Sequence, residues 1–154
     1  MENIIKVGLD VHGVINKDPD LFATLTHKLV ENNHEVHILT GRELCTELID
    51  RLHGFGVIYN QIFSITSYHK KIGTHIVYKD NDPTQPLIAP PKWNRTKADY
   101  AKRVGLNIHI DDSIIYGEYF HYSTQYMLYT PAIKSFLILC LGNLKPEDLL
   151  IEHA

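Results

Sequence analysis

Acidic side chains follow two apolar segments of this chain, at the places where buried strands would end. Asp10 closes the run IIKVGLD, and Gly13 follows three residues later. The segment NIHI is followed directly by Asp111 and Asp112. A carboxylate held at a strand end can ligate a cation or act as a nucleophile. These acids are therefore the first candidates for a functional site.

A third apolar segment, EVHILT at 35–40, ends in Thr40 and is followed by Gly41 and Arg42. In open parallel sheets, ligands bind in the crevice outside the carboxyl ends of the strands. Thr40 and the acids named above would all face such a crevice, because each stands at the end of a predicted strand. Three separate strands would thus direct small oxygen-bearing groups to one place.

Apolar strand-like segments alternate with helical patterns along the chain, which is typical of a parallel sheet covered by helices on both faces. We therefore predict an α/β protein with a three-layer, doubly wound parallel sheet of Rossmann type, folded as a single domain over residues 1–154. The predicted strands lie at 4–9, 35–40, 62–65, 107–110 and 126–129. The predicted helices lie at 21–33, 43–53 and 96–104, and from Pro131 through the apolar run AIKSFLILCLG.

The segment 66–93 departs from this alternation. It contains Gly73, a short β-like run HIVY, the polar turn DNDPTQP and the pair Pro90–Pro91. We interpret it as a small insertion, or flap, outside the core. The flap and its exit are locally basic, so they could cover an anionic substrate; a solvated flap is the equally good alternative. The basic residues are His69, Lys70, Lys71, Lys79, Lys92 and Arg95.

The composition of the 154-residue chain is that of an ordinary globular protein, with 44% hydrophobic and 21% charged residues. The formal charge of −3 gives no strong nucleic-acid signature, since proteins that bind nucleic acids usually carry a basic excess or stripe. Cys45 and Cys140 are too few for a disulfide framework. No apolar window is long enough to cross a membrane. We expect a cytoplasmic protein that could form oligomers.

Four short motifs, in order and across nearly the whole chain, resemble those of the haloacid dehalogenase-like (HAD) phosphohydrolases. The first reads DVHG at 10–13, and the second, a strand ending in threonine, reads HILTGR at 37–42. The third is a lysine near the start of a helix, Lys97 in NRTKADYA, and the fourth reads IHIDDS at 108–113. Each motif alone is more often a turn, a helix cap or a solvated helix residue. Their joint occurrence in this order carries the resemblance.

The resemblance implies a Mg²⁺-dependent phosphatase that acts through an aspartyl-phosphate intermediate. Its substrate would be a small-molecule phosphate monoester, with a nucleotide among the candidates. Asp10 would be the nucleophile, Thr40 would hydrogen-bond the phosphoryl oxygens, and Lys97 would neutralise their charge. The insertion provides only a minimal flap in place of a full cap domain. So light a cover would suit the phosphate end of a macromolecule, or a small ester enclosed with the help of a partner subunit.

The resemblance also implies a metal site. Asp10, Asp112 and the backbone carbonyl of His12 would hold Mg²⁺, and Asp111 would support it through water or through a neighbouring side chain. Oxygen ligands suit this hard cation. Phosphoryl transfer depends mainly on positioning and charge stabilisation, so a cation, a lysine and a hydroxyl are the expected parts.

Backbone N–H groups and a guanidinium could add to phosphate binding. Gly13 and Gly41 would let the backbone pass close to a phosphoryl group and donate N–H hydrogen bonds to it. Arg42, directly after Gly41, would either reach a phosphate or pair with an acid on the following helix. We rank Arg42 below Lys97 as a phosphate ligand.

His12 stands where the family places its second aspartate, the residue that protonates the leaving oxygen and then activates water. A histidine can perform both proton transfers, because its ordinary pKa of about 6.5 lies near neutrality. A nearby Mg²⁺ would disfavour the protonated ring. Two functions therefore stay open. One is a phosphatase that uses His12 as its acid and base, and the other is a binding or regulatory module that keeps the phosphate and Mg²⁺ pocket without turnover.

Overall fold

The computed structural model describes residues 3–142, and its centre is a five-stranded sheet in which every strand pair is parallel. A separate antiparallel ribbon joins two shorter strands. The α/β class with a parallel sheet is thereby confirmed. In spatial order the sheet contains β3 (Gln61–Ser64), β2 (Glu35–Thr40), β1 (Lys6–Asp10), β6 (Ile108–Asp111) and β7 (Gln125–Leu128), and the ribbon pairs β4 (Val77–Tyr78) with β5 (Pro86–Leu87).

Helices connect the strands, and their ends follow local sequence signals. A proline opens each of α1, α4 and α6. Proline has no backbone N–H, and it is tolerated there because the first N–H groups of a helix have no partner within the helix. Gly105, with φ of 75°, ends α4 in the left-handed conformation. None of the helices within residues 3–142 is both long and apolar enough to cross a membrane. The helices are α1 (Pro19–Glu31), α2 (Thr46–Gly54), α3 (Ile65–Lys71), α4 (Pro90–Val104), α5 (Ile114–Gly117) and α6 (Pro131–Cys140).

Two apolar clusters cover the two faces of the sheet. Ile38 belongs to the larger cluster and Leu39 to the smaller one, as expected because neighbouring residues of a strand point to opposite faces. The larger cluster includes Phe22 of α1 and Leu52 of α2, and the smaller one includes Tyr100 of α4. Helices therefore pack on both sides of the sheet, which explains why its central strands are apolar throughout.

The order of the strands creates a crevice between β1 and β6. From β1 the chain adds β2 and then β3 on one side, and later adds β6 and β7 on the other side. Such a switch point is where ligands bind in open α/β sheets. The register pairs Leu9 with Ile110, so Asp10 and Asp111 end neighbouring strands at the same level.

The two ends of the predicted insertion belong to helices packed on the domain. Ser64 caps α3 by accepting a hydrogen bond from the Ser67 N–H, and Thr66 donates one to the Gly41 carbonyl at 2.6 Å. Pro90 and Pro91, which fall in the predicted flap, instead open α4, because proline is well tolerated in a first helical turn. In the structure the flap is therefore limited to residues 72–89, which contain the β4–β5 ribbon.

His69 links α3, the flap and α4, and is buried instead of adding to a basic surface. Its Nδ1 lies 2.7 Å from the Thr74 hydroxyl, and its Nε2 lies 2.8 Å from the Thr96 hydroxyl. Thr96 donates its own hydroxyl proton to the Lys92 carbonyl, so it accepts a hydrogen bond from Nε2–H. Burial, reinforced by the charge of Lys92, lowers the pKa of His69. The ring is therefore neutral at pH 7.

We expect the free energy of unfolding to fall as the pH drops below about 6.5, and His69→Gln to reduce that dependence. In this range the unfolded chain binds a proton that the buried ring resists, so acid favours unfolding until the lowered folded-state pKa is reached. One group contributes a slope of at most about 1.4 kcal/mol per pH unit.

Urea denaturation of the two proteins at a series of pH values from about 5 to 8 measures this difference. The exposed His75 provides the matched control, since His75→Gln leaves every contact of His69 in place. Equal pH slopes for wild type and H69Q would show that the linkage is wrong.

Candidate functional site

A buried lysine joins the ends of the two central strands. The Nζ atom of Lys97 lies 2.9 Å from Oδ1 of Asp10 and 2.8 Å from Oδ2 of Asp111. Lys97 is only 2% exposed, and Asp111 is fully buried. Residues predicted from three separate parts of the chain thus form one ionic cluster at the crevice. Two carboxylates beside one ammonium leave an excess of negative charge, which a bound cation can offset.

The protonation of this cluster is unequal. Burial raises the pKa of Asp10 to about 7, despite the opposing charge of Lys97. Burial acts the same way on Asp111, but the hydrogen bond from His109 and the charge of Lys97 outweigh it and hold the pKa of Asp111 below its usual range. Burial opposes the charge of Lys97, yet the charges of Asp10 and Asp111 raise its pKa. Lys97 and Asp111 therefore form a stable ion pair, and Asp10 is the less strongly ionised partner.

A third carboxylate completes an oxygen-donor set. One ligand atom from each of Asp10, Asp111 and Asp112 lies within 4.8 Å of the others, and Asp112 is exposed. Gly13, with φ of 81°, leaves room for the Asp112 carboxylate, with which a Cβ at that position would collide. Hard divalent cations prefer such oxygen ligands, so the residues present fit a metal of this kind.

Asp111 is the least available of the three acids. Its Oδ2 accepts hydrogen bonds from Lys97 and His109, and its Oδ1 accepts one from the Ser113 N–H at 3.1 Å. Asp10 and Asp112 are consequently the stronger candidates for direct ligation, and Asp111 orients Lys97.

The turn after β1 presents His12 and fixes Gly13. The Asn16 N–H donates to the Val11 carbonyl at 3.0 Å, which closes a wide turn over Val11–Ile15. The Asn16 Oδ1 accepts a hydrogen bond from the Gly13 N–H at 2.7 Å. That N–H is engaged within the turn in this structure. His12 itself is exposed at the site.

A cleft of about 420 Å³ lies over the ionic cluster. Thr40 does not line it: the side chain is fully buried, and its hydroxyl accepts a hydrogen bond from the Arg42 N–H at 3.2 Å. Most of the other predicted site residues are brought together here, and three flap residues share the wall. The lining residues are Asp10, His12, Gly41, Arg42, Thr84, Gln85, Pro86, Trp93, Lys97, Asp112, Ser113 and Tyr116.

Burial and charge both act on the His12 ring. Partial burial lowers its pKa first, and the charges of Arg42, Arg51 and Lys97 lower it further, against the opposing charge of Asp112. The imidazole is therefore neutral at pH 7, a form that can accept a proton.

His109 is a site residue that the sequence did not reveal. It is fully buried, donates from Nε2 to Oδ2 of Asp111 at 2.9 Å, and stacks on Phe120 with the ring centroids 5.2 Å apart. Gly8 makes room for the ring, since a Cβ there would lie 2.6 Å from its Nδ1. Burial lowers the pKa of His109, so the ring is neutral. Its spacing of two residues from Asp111 was the available signal, because alternate residues share one face of a strand.

Trp93 and Tyr116 were also missed. The indole Nε1 of Trp93 donates to the Tyr116 hydroxyl at 2.8 Å, and the Tyr116 ring lies 5.1 Å from the Nζ of Lys97. Trp93 precedes Lys97 by four residues, a spacing that puts both on one face of α4. That spacing could have placed Trp93 beside the site.

Comparison with known proteins yields no match to this chain among protein-family models, curated proteins or solved structures.

Replacing Lys97 by Met should destabilise the fold by about 3–5 kcal/mol at neutral pH, because it leaves two buried carboxylates without their cation. The loss should shrink as acid protonates Asp10. Urea denaturation measures both effects. Lys102→Met, on the same helix but exposed, is the matched control and should change stability by less than about 0.5 kcal/mol. A K97M protein as stable as K102M would contradict the ionic role of Lys97.

Proposed function

We propose that this chain is a Mg²⁺-dependent phosphatase of HAD type that hydrolyses a small phosphate monoester. The observation that carries the proposal is the buried Asp10–Lys97–Asp111 cluster at the switch point of the sheet, with Asp112 beside it. It combines a carboxylate that can act as a nucleophile, an ammonium that can bind phosphoryl oxygens and an oxygen-donor set that suits Mg²⁺.

Each residue has a defined part in this reaction. An oxygen of the Asp10 carboxylate attacks phosphorus and forms an acyl phosphate, while the bond to the ester oxygen breaks and the leaving oxygen departs as an alkoxide that takes a proton from solvent. Water then attacks the same phosphorus, which releases phosphate and restores the Asp10 carboxylate. Lys97 balances the charge of the phosphoryl oxygens throughout. Mg²⁺, when held by Asp10, Asp112 and the His12 carbonyl, would supply further charge stabilisation.

His12 is the candidate for proton transfer. It lines the cleft, and partial burial together with the charges of Arg42, Arg51 and Lys97 favours the neutral form of its ring. A neutral imidazole can take the proton of the attacking water in the second step. Protonation of the leaving alcohol is harder for it, since the same cations disfavour the imidazolium.

The second candidate function is a phosphate- and metal-binding module that does not turn over. The observation that favours it is the same electrostatic setting of His12, which weakens it as an acid toward the leaving oxygen. Both functions predict binding of Mg²⁺ and phosphate, and they differ only in hydrolysis.

We expect Asp10→Asn to abolish phosphate release, by more than about a thousandfold, because the neutral amide cannot form the acyl phosphate. Phosphate release with Mg²⁺ from a panel of phosphate monoesters measures the effect, and chelation of the metal should produce a comparable loss. Activity that survives in D10N would disprove the nucleophile. Absence of phosphate release by wild type over the whole panel would exclude the phosphatase and leave the binding module.

The variant His12→Asp separates the two functions. In a working phosphatase that relies on the imidazole, H12D should lower kcat by about 10²-fold, the lower end of the contribution of a positioned acid or base, because a carboxylate is a weaker base than an imidazole. In a module that has lost turnover, H12D should instead raise hydrolysis, because it supplies the acidic group typical of the HAD family. His27→Asp, at a histidine on α1 outside the cleft, is the control and should leave kcat unchanged.

A further inference from the structure

Trp93 is held rigidly at the edge of the cleft. Gly41 lies directly beneath it, and a Cβ at Gly41 would come within 2.8 Å of the indole Cζ2 atom. On the other side, the indole Nε1 donates to the Tyr116 hydroxyl at 2.8 Å. An aromatic ring that is fixed before a ligand arrives loses little conformational freedom on binding it. The pair Trp93–Tyr116 is therefore a preformed aromatic wall.

The aromatic wall lies at a short, fixed distance from Lys97, whose ammonium would bind the phosphoryl group. Trp93 and Lys97 are separated by one turn of α4, which places their Cβ atoms about 6 Å apart on the same face. A phosphoryl group beside Lys97 would thus be separated from the indole by a spacing that a sugar can bridge.

The flap contributes a second wall to the same cleft, and hydrogen bonds within the flap hold this wall in place. Asp82 accepts hydrogen bonds from the Thr84 N–H at 2.9 Å, the Thr84 hydroxyl at 2.7 Å and the Gln85 side-chain amide at 3.0 Å. The Lys79 N–H donates to the Gln85 carbonyl at 3.0 Å. This turn presents Pro86 and two polar side chains to the cleft. A small apolar surface with a few polar groups is typical of sites that recognise one ligand face and its edge.

We infer that the cleft binds the base of a nucleoside monophosphate, with the flat ring against Trp93 and Tyr116 and the edge of the ring near Thr84 and Gln85. This inference rests on the proposed phosphatase function and adds the substrate class to it. Stacking on aromatic side chains accepts any base, because every base has a π face. The polar flap residues supply the means to distinguish between bases.

Trp93 is the chain's single tryptophan, so its fluorescence reports directly on this contact. The test is a titration of the full-length D10N chain with Mg²⁺, excited at the red edge of the indole band, where bases do not absorb. We expect saturable quenching by adenosine or thymidine 5′-monophosphate, and none by ribose 5-phosphate, which has the same phosphate and sugar but no base. Equal fluorescence responses to nucleotide and sugar phosphate, or no response to either, would overturn the inference.

Substitution at the wall gives an independent readout. Trp93→Leu should lower the ratio of kcat/KM for a nucleotide to that for ribose 5-phosphate by about tenfold, the loss expected for one stacking contact. Trp93→Phe keeps a ring and should preserve most of that ratio. An unchanged ratio in W93L would refute the base subsite.

The two assays separate failure of the subsite from failure of the proposed function. Quenching by nucleotides without phosphate release from wild type would support the base subsite and exclude the phosphatase. Phosphate release from both esters without quenching and without discrimination would leave the phosphatase standing and exclude the base subsite.

Discussion

The burial of one ammonium between two carboxylates is the constraint on which the site depends. Lys97 cannot stay charged without Asp10 and Asp111, and each acid ends a different strand. The strands β1 and β6 must therefore be neighbours in register, and α4 must cross above them. Burial raises the pKa of Asp10 against the charge of Lys97, whereas the hydrogen bond from His109 and the charge of Lys97 keep Asp111 ionised. Oxygen donors gathered at a crevice in this way are of the kind that hard divalent cations prefer.

Small residues give this cluster its shape. Gly8 leaves room for His109 behind Asp111, Gly13 leaves room for the Asp112 carboxylate, and Gly41 leaves room for Trp93. In each case a methyl group would occupy space that a functional side chain needs. The three glycines thus connect backbone packing to the cleft. Gly8 allows His109 to support the ion pair, Gly13 allows Asp112 to approach the other acids, and Gly41 allows Trp93 to pack at the edge of the cleft.

The predictions succeeded where a local pattern reflects a physical periodicity. The apolar runs that end in Asp10 and Asp111 are strands buried on both faces, and their order in the sheet brings the acids together. The predictions failed where local chemistry has two outcomes. Pro90 falls in the predicted flap, although proline also starts helices, and His69 counts among the basic residues of that flap, although its ring is buried between two hydroxyls.

The sequence by itself determined the α/β class, the strand-end acids and the pairing of Lys97 with them as a hypothesis, because these follow from hydrophobic period and from the edge at which parallel strands end. Only the tertiary structure decided that Thr40 is buried beside the cleft, that Asn16 occupies the Gly13 N–H, and that Trp93 joins Tyr116. Such contacts depend on rotamers and on distances between elements far apart in the chain, and a linear pattern of residue types does not contain them.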